Sequence, residues 1–345
     1  MITGSLSSCG QSDSSSKNDS SSKASSSSSA SSMKNNKISS GSSSVETSGK
    51  VKVEKPKASD DESQVKEVET RTSVDFNVDG YYSFSYEGFD KVYSNEEVQE
   101  CFDNINDLIS NANYKIAVSY KNMDTGAQIY CGTDIEFVTA STIKAPYIKS
   151  ILQDGVDLDE MVTKTDNWTN DDQVVASATP GTQFSAKELI EHAILESDNT
   201  AYYSLVKHFG CNTFNNFLYS IGASFNISPQ WIFCYCRLMD VAQCYWDIYD
   251  FAEENEDGKW LIDLMTKCNY NEQIGYALGD KYTVAQKYGS DFDEMNFNDC
   301  AIVYADSPFV LCIFTGLYPE IDDNCEIFRE LAVEFDKLNS LIAVE

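Results

Sequence analysis

Histidine is almost absent from this chain: among 345 residues, only His192 and His208 carry an imidazole. Both fall in stretches of helical character without a carboxylate pattern to orient them, so the sequence does not predict a serine–histidine pair. They are also poor partners for Cys234 and Cys236, because a single residue separates these cysteines where zinc sites usually have two. We therefore expect no metal site and no cofactor, and any nucleophilic chemistry must use other bases.

Basic residues and long apolar runs are also scarce. The chain has 25 Lys and Arg against 55 Asp and Glu, which gives a formal net charge of −30. Residues 1–75 contain as many basic as acidic side chains, so the whole negative charge falls on the rest of the chain. Such a surface repels nucleic acid, and nucleic-acid binding is excluded as a function. No apolar run is long enough to cross a membrane.

The composition changes sharply near residue 75, which predicts two parts. Residues 10–50 are mostly serine with lysine and asparagine. Such a stretch cannot bury enough apolar surface to offset its conformational entropy. We therefore predict a disordered serine-rich tether over residues 1–75 and a single folded domain over residues 76–345, which we expect to be a monomer.

The segment Leu6-Ser7-Ser8-Cys9-Gly10 resembles the lipobox of bacterial lipoproteins, in which the cysteine is lipidated. A serine-rich tether directly after that cysteine is common in such proteins. Residues 1–4 are too short for the apolar signal segment that precedes a lipobox, so we expect the natural chain to begin upstream. The sequence thus predicts a bacterial, exported lipoprotein anchored through Cys9 to the extracytoplasmic face of the membrane. The alternative is a stray cysteine in a low-complexity tail.

Ten further cysteines lie in the predicted domain. Several fall inside apolar runs, as Cys312 does, where cysteine is commonly a small core residue. An exported protein can form disulfides, but spacing alone does not reveal a pairing. The ten are Cys101, Cys131, Cys211, Cys234, Cys236, Cys244, Cys268, Cys300, Cys312 and Cys325.

The order of predicted elements indicates an α+β fold. Capping boxes at Ser94 and Ser185 predict two helix starts, and residues 114–120 and 127–131 predict a hairpin. No internal repeat is visible. The two ends of the chain supply an antiparallel five-stranded sheet flanked by helices, and the middle supplies an all-helical lobe. The remaining predicted elements are helices at 212–221, 237–253, 258–268 and 322–341, and strands at 282–290, 299–305 and 309–315.

Three short motifs follow one another in a fixed order, and together they supply a nucleophile, a nearby amine, a second hydroxyl with an amide, and a distant cation. They are Ser141-Thr142-Ile143-Lys144, Ser197-Asp198-Asn199 and Lys287-Tyr288-Gly289. Ser-x-x-Lys spacing also occurs at five other places in the chain, including Ser204 and Lys207, so that spacing alone is weak. Its context is stronger: Ser141 follows a strand-like stretch and opens a run predicted to be a buried helix, which places Ser141 and Lys144 on one face.

Taken together, the three motifs resemble the signature elements of class A serine β-lactamases and related penicillin-recognising enzymes. The resemblance covers about residues 94–340, so residues 76–345 are predicted to be a catalytic domain of that type. It implies that Ser141 is the acylated nucleophile, that Lys144 is the base or begins the proton path, and that Ser197 relays a proton to the leaving group. By the same resemblance, Lys287 stabilises the substrate carboxylate, and the catalytic cleft lies between sheet and helical lobe.

The resemblance also implies substrate-binding roles around the second and third motifs. Asn199 would bind the acyl side chain of the substrate, and Gly289 would let the substrate lie along the strand. The backbone N–H of Ser290 would join that of Ser141 in the oxyanion hole. Tyr288 departs from the family, which usually has threonine or serine between this lysine and glycine.

A larger departure concerns release of the acyl group. Class A enzymes carry a glutamate after the second motif that activates the hydrolytic water. Here residues 225–233 occupy that stretch without a carboxylate, and Glu253, Glu254 and Glu256 come too late in the chain.

Three functions remain open at this stage. The first is a class A-type serine hydrolase that is acylated by β-lactams but deacylates weakly. The second is a D-Ala-D-Ala peptidase of the penicillin-binding type acting on peptidoglycan stem peptides, which the missing glutamate favours. The third is a catalytically silent cell-envelope binding lipoprotein, which Tyr288 and the strongly negative domain support.

Overall fold

The computed structural model describes residues 84–89, 92, 94–169 and 173–342, all within one compact unit, Lys66–Glu345. The predictions for residues 1–75, including the tether and the lipidation of Cys9, lie outside the described residues. None of the helices in this part of the chain has the length and apolar character needed to span a bilayer.

In the described chain, most of the helices lie between two groups of strands that form the main sheet. The strands are β1 (Phe84–Glu87), β2 (Ile116–Asn122), β3 (Gln128–Cys131), β4 (Glu136–Val138), β5 (Met161–Thr163), β6 (Gln183–Ser185), β7 (Tyr235–Arg237), β8 (Thr283–Asp291), β9 (Asn296–Tyr304) and β10 (Phe309–Thr315). The helices are α1 (Glu96–Ser110), α2 (Lys144–Gln153), α3 (Val174–Ser177), α4 (Ala186–Leu195), α5 (Asn199–Phe209), α6 (Asn212–Ser220), α7 (Leu238–Glu254), α8 (Glu256–Met265), α9 (Ile274–Leu278) and α10 (Asp322–Ile342). A 3-10 turn, Ala140–Ile143, directly precedes α2.

Within the described residues, six strands form one antiparallel sheet in the order β1-β3-β2-β10-β9-β8. The α+β class and the predicted hairpin are confirmed, since β2 pairs with β3 in a register that opposes Val118 to Cys131. The predicted count of five strands is wrong because β1 adds a sixth at the edge, with Phe84 opposite Cys131. This strand has four partly or fully exposed residues, which is too few and too polar to produce an apolar pattern.

The sheet separates two apolar cores, as period-two alternation along a strand requires. On β10, Val310, Cys312 and Phe314 face the core shared with α2, α7 and α8. Phe309, Leu311 and Ile313 face the core shared with α1 and α10. The helical lobe therefore packs on one face of the sheet and the two terminal helices pack on the other. Strands β1 and β8 are the two edges of the described sheet.

Two predicted helix starts have different outcomes. The capping box at Ser185 is confirmed: the Ser185 backbone N donates to Glu188 Oε2 at 2.7 Å, and the Glu188 N donates to Ser185 Oγ at 3.2 Å. The box at Ser94 is wrong, because the cap of α1 is Asn95, whose side chain accepts from the Glu97 N at 2.9 Å. Asparagine caps as well as serine does, and it starts the helix one residue later.

Candidate active site

The turn that carries Ser141 is held from both ends. The sequence had predicted that Ser141 opens the helix. In the structure, Ser141 lies in the 3-10 turn directly before α2. Thr139 fixes the entry, since its N donates to the Cys234 carbonyl at 2.8 Å. Tyr245, fully buried on α7, donates its hydroxyl to the Thr142 carbonyl at 2.9 Å. Ala140 has a φ of 43°, a strained value for a non-glycine residue that the surrounding contacts must maintain.

Lys144 begins α2 and is fully buried. Its Nζ donates to the Ser197 carbonyl at 2.5 Å, to Ser197 Oγ at 3.1 Å and to Asn199 Oδ1 at 2.7 Å. Three oxygen atoms lie within hydrogen-bond distance of this one nitrogen, so the burial of the amine is offset by hydrogen bonds. The amine is thereby directed at the second motif.

The second motif forms a tight turn between α4 and α5. Ser197 adopts a φ of 58°, and Asp198 caps α5 by accepting from the Ala201 N at 2.8 Å. The other Asp198 oxygen accepts from the Val175 N at 2.9 Å, which ties the turn to α3. Asp198 thus holds the turn through both of its carboxylate oxygens. Ser197 has a strained backbone, and the neighbouring Asp198 accepts two hydrogen bonds, so the position of the Ser197 hydroxyl is fixed.

Lys287 reaches the same hydroxyl from the sheet edge. Its Nζ donates to Ser197 Oγ at 3.0 Å and to the Tyr288 carbonyl at 3.2 Å, and its side chain is fully buried. Desolvation by burial lowers the pKa of Lys287, since the neutral amine is favoured away from water. Two amines, from α2 and from β8, thus share one serine oxygen.

Gly289 lies directly against the Ser141 turn. A Cβ at this position would come within 2.9 Å of the backbone N of both Ser141 and Thr142. The sequence had indicated a glycine that makes room for substrate; the structure shows that the glycine first makes room for the nucleophile turn itself. The neighbouring Ser290 sits on the same strand, and its hydroxyl donates to Glu320 Oε1 at 3.4 Å.

Asn199 and Tyr288 are both in contact with the lysines. Asn199 uses its carbonyl oxygen for Lys144. The Tyr288 ring lies 4.3 Å from Lys287 Nζ and 4.4 Å from the Tyr270 ring. Desolvation, followed by the Glu320 carboxylate, raises the pKa of Tyr288 to about 12, while a hydrogen bond with Ser197 acts in the opposite direction. The phenol is therefore part of the site.

Residues 225–233, which contain no glutamate, place an aromatic ring next to Lys144. Phe233 lies 5.7 Å from Lys144 Nζ, measured to the ring centroid. Trp168 and Tyr202 pack against that ring at 5.9 and 5.7 Å. The Lys144 amine is thus bordered on this side by a cluster of aromatic rings.

Sequence reasoning missed four residues that shape the site: Tyr245, Phe233, Glu320 and Asp299. Asp299 is fully buried on β9 opposite Tyr288, and its Oδ2 accepts from the Ile274 N at 3.2 Å. Burial raises the pKa of Asp299 to about 7, and the nearby Lys287 acts against that rise. A carboxylate among apolar residues in a predicted strand was the available signal.

The side chains of the two histidines contact carboxylates outside the three motifs, whereas Cys268 and Cys300 lie close to Lys287. His192 contacts Glu196 at 3.1 Å and His208 contacts Glu160 at 2.7 Å, so each has a carboxylate that the sequence pattern had not indicated. The ten cysteines of the described region are free thiols. Over the described ranges, no group of three His, Cys, Asp or Glu side chains is placed to hold a metal ion.

The sheet has terminal helices on one face and a helical lobe on the other. The Ser-x-x-Lys motif lies against Ser-Asp-Asn and a strand lysine. This architecture is that of serine β-lactamases and penicillin-binding proteins. The sequence profile described as the Beta-lactamase enzyme family matches residues 100–334, more than half of the chain. The chain belongs to this family.

Solved structures agree on the fold. PBP-A is 22% identical over 68% of this chain and 94% of its own, with a TM-score of 0.60. The β-lactamase from Sphaerobacter thermophilus DSM 20745 is 16% identical over 70% of this chain and 98% of its own, with a TM-score of 0.59. The L158E mutant of PBP-A, solved as an acyl-enzyme complex with penicillin G, is 22% identical over 69% and 95%, also at 0.59. The comparison with curated proteins gives no match.

Proposed function

We propose that this protein is a serine acyl-transfer enzyme, acylated at Ser141 by β-lactams or related acyl-D-Ala substrates, and that it releases the acyl group slowly. One observation carries this proposal: the amines of Lys144 and Lys287 both lie within 3.1 Å of Ser197 Oγ, next to the Ser141 turn. Two buried amines on one hydroxyl form a proton path, which a purely structural role would not require.

Acylation would run through this path. With Lys144 as the neutral amine, the Ser141 hydroxyl oxygen bonds to the carbonyl carbon and its proton passes to the Lys144 nitrogen. The carbonyl oxygen becomes an oxyanion that the backbone N–H groups of Ser141 and Ser290 stabilise. The C–N bond then breaks, and the nitrogen takes a proton through Ser197. Lys287, close to the same hydroxyl, favours the negative charge that develops.

Release of the acyl group needs a base that activates water, and the side of Lys144 expected to provide it is occupied by Phe233. An aromatic ring cannot accept a proton. A long-lived acyl-enzyme is the consequence, so of the two enzymatic functions, the penicillin-binding type acting on peptidoglycan stem peptides is the second candidate. Phe233 is the observation that favours it.

The L158E mutant of PBP-A was solved with penicillin G bound as an acyl-enzyme. That result belongs to that protein, and it supports β-lactams as the probe for this one. We also propose that the chain acts as a monomer at the extracytoplasmic face of a bacterial membrane, held through a lipid on Cys9. Metabolic labelling with a fatty acid, lost in Cys9→Ala, tests the anchor.

The test of acylation is incubation with a fluorescent penicillin and a chromogenic cephalosporin, followed by intact mass. A persistent adduct that disappears in Ser141→Ala supports the proposal. Ser204→Ala is the matched control, since Ser204 begins another Ser-x-x-Lys sequence but bonds only to the Thr200 carbonyl at 2.8 Å. Rapid turnover with no adduct would indicate an efficient β-lactamase instead, and no reaction with these free acids or with their esters would indicate a silent binding protein.

A further inference from the structure

Lys287 is the cation expected to meet a substrate carboxylate, and in this structure its charge is already engaged. It is fully buried, and two of its three N–H donors are directed at Ser197 Oγ and at the Tyr288 carbonyl. The ring of Tyr288 covers the cation at 4.3 Å. A threonine or serine at this position would leave the amine open and add a hydroxyl donor; the phenol closes the approach and takes the cation into a cation–π contact.

Tyr288 is also fixed in this position. Its ring packs on Tyr270 at 4.4 Å, and its hydroxyl interacts with Ser197. Exposing Lys287 would require both contacts to break. A carboxylate arriving along β8 therefore finds the Lys287 amine already in contact with an aromatic ring.

The next residues along β8 add a full negative charge. The Ser290 hydroxyl, which could otherwise donate to an anion, donates to the exposed carboxylate of Glu320 at 3.4 Å. The same carboxylate is close enough to Tyr288 to raise the pKa of its phenol. A substrate carboxylate at this place would be repelled by Glu320 rather than bound.

Exposed aromatic side chains continue the surface beyond Ser290. Phe292 and Tyr318 are each 47% exposed and pack edge to face at 5.5 Å. Tyr318 precedes Glu320 by two residues, and Phe292 follows Ser290 by two residues. Aromatic rings beside a carboxylate are the chemistry that accommodates an apolar or cationic group.

We propose that Tyr288 and Glu320 make this site select acyl donors whose group beside β8 is neutral or positively charged, and reject donors that carry a carboxylate there. This inference rests on the proposed function, because it specifies the acyl donor of Ser141. It places this protein's preferred substrates among amidated, esterified or amine-bearing acyl compounds instead of free acids.

The test compares three forms of benzylpenicillin that share one β-lactam ring: the free acid, the methyl ester and the cationic diethylaminoethyl ester. Acylation of Ser141 is followed by intact mass, and each rate is divided by the rate of the same compound with hydroxide to remove intrinsic reactivity. We expect both esters to acylate the enzyme faster than the acid. An acid that reacts as fast as either ester would contradict the inference.

Variants at the two residues separate their contributions. Tyr288→Thr is expected to raise the acid rate relative to the methyl ester by roughly tenfold to a hundredfold, because the lysine regains a charged partner. Tyr288→Phe is expected to keep the selectivity, since the ring still covers Lys287. An unchanged acid-to-ester ratio in Tyr288→Thr would overturn the role of the ring.

Glu320→Gln changes only an exposed side chain, so it remains informative if Tyr288→Thr does not fold. It is expected to raise the acid rate relative to the methyl ester by roughly two- to fivefold, and to do so less at high salt. No change at low salt would overturn the role of Glu320. If none of the three compounds acylates Ser141, the proposed function fails and this inference fails with it, whereas acylation that favours the acid removes the inference alone.

Discussion

The two sides of the Lys144 amine differ in chemistry. On one side, Ser197 and Asn199 supply three acceptors within 3.1 Å. On the other, Phe233 supplies a ring at 5.7 Å. Under the proposed function, the first side contains the groups that acylation uses, and the second side presents an aromatic ring where hydrolysis would use a base. The proposal therefore assigns acylation to the polar side of Lys144 and slow hydrolysis to its aromatic side.

Removing the amine itself should have the largest effect on this comparison. In Lys144→Ala, the proton path from Ser141 is broken, and we expect the acylation rate to fall roughly a hundredfold to ten-thousandfold. The rate of adduct formation with a β-lactam, measured by intact mass, checks this.

The matched control is Lys149→Ala, because Lys149 is a second buried lysine of α2 that pairs with Asp247 and Gln153 instead of the site. It should lower the melting temperature but leave acylation near the wild-type rate. Equal loss of acylation in both variants would show that stability, and not the path, controls the rate.

Gly289→Ala tests the contact between strand β8 and the nucleophile turn. The added Cβ would come within 2.9 Å of the Ser141 and Thr142 nitrogens, so the turn must shift. We expect acylation to fall roughly tenfold to a hundredfold, as overpacking by about 1–3 kcal/mol implies. The comparison is with Gly181→Ala, which has open space around the added carbon and a φ of 94°. That variant should lose stability without losing acylation.

Phe233→Glu would add a carboxylate on the aromatic side and so reduce the difference between the two sides. We expect the acyl-enzyme to hydrolyse at least about tenfold faster, since a general base is placed beside Lys144. The decay of the adduct after removal of free β-lactam measures this. Phe233→Gln has a similar shape without the base and should retain the slow decay; an equally fast decay in Gln would assign the effect to loss of the ring.

Asp299 lies on β9 opposite Tyr288 of β8, and we expect its replacement to change the stability of the protein. Burial raises the pKa of Asp299 to about 7, so between its unfolded value near 4 and about 7 the folded state binds more protons than the unfolded state. Its contribution to stability is therefore greatest at low pH and decreases as pH rises through that range. Asp299→Asn should flatten this slope and stabilise the protein at pH 8 relative to wild type by roughly 1–4 kcal/mol.

Urea unfolding of wild type and Asp299→Asn at pH 5 and pH 8 gives the free energy of unfolding of each. The effect of the other charged groups cancels in the comparison because both proteins carry them. Identical pH slopes would show that Asp299 is not protonated in the folded state in this range.

The sequence was informative where a residue type is required by its own chemistry. Ser141, Lys144, Ser197 and Lys287 were predicted from three motifs, and the structure brings the two lysines and Ser197 into hydrogen-bond contact and places the Ser141 turn against Gly289. Long amphipathic helices such as α10 were also predicted within a few residues. Their patterns extend over many residues and are set by local periodicity.

It was uninformative where a contact depends on residues distant in the chain. Nothing in the sequence around Tyr288 places its ring over Lys287, and nothing near Glu320 indicates Ser290 as its partner. The short strand β1 was missed for the same reason, since its pairing with β3 depends on the sheet that is already formed. The contact between Phe233 and Lys144 also depends on tertiary packing, so the sequence did not predict it.

Time-resolved intact mass spectrometry with a β-lactam methyl ester tests the central claim most directly. After removal of free reagent, we predict one adduct per chain, located on the peptide that contains Ser141, and a decay that is slow in the wild type and fast in Phe233→Glu. An adduct on any other residue, or complete turnover by the wild type before an adduct can be isolated, would contradict the account.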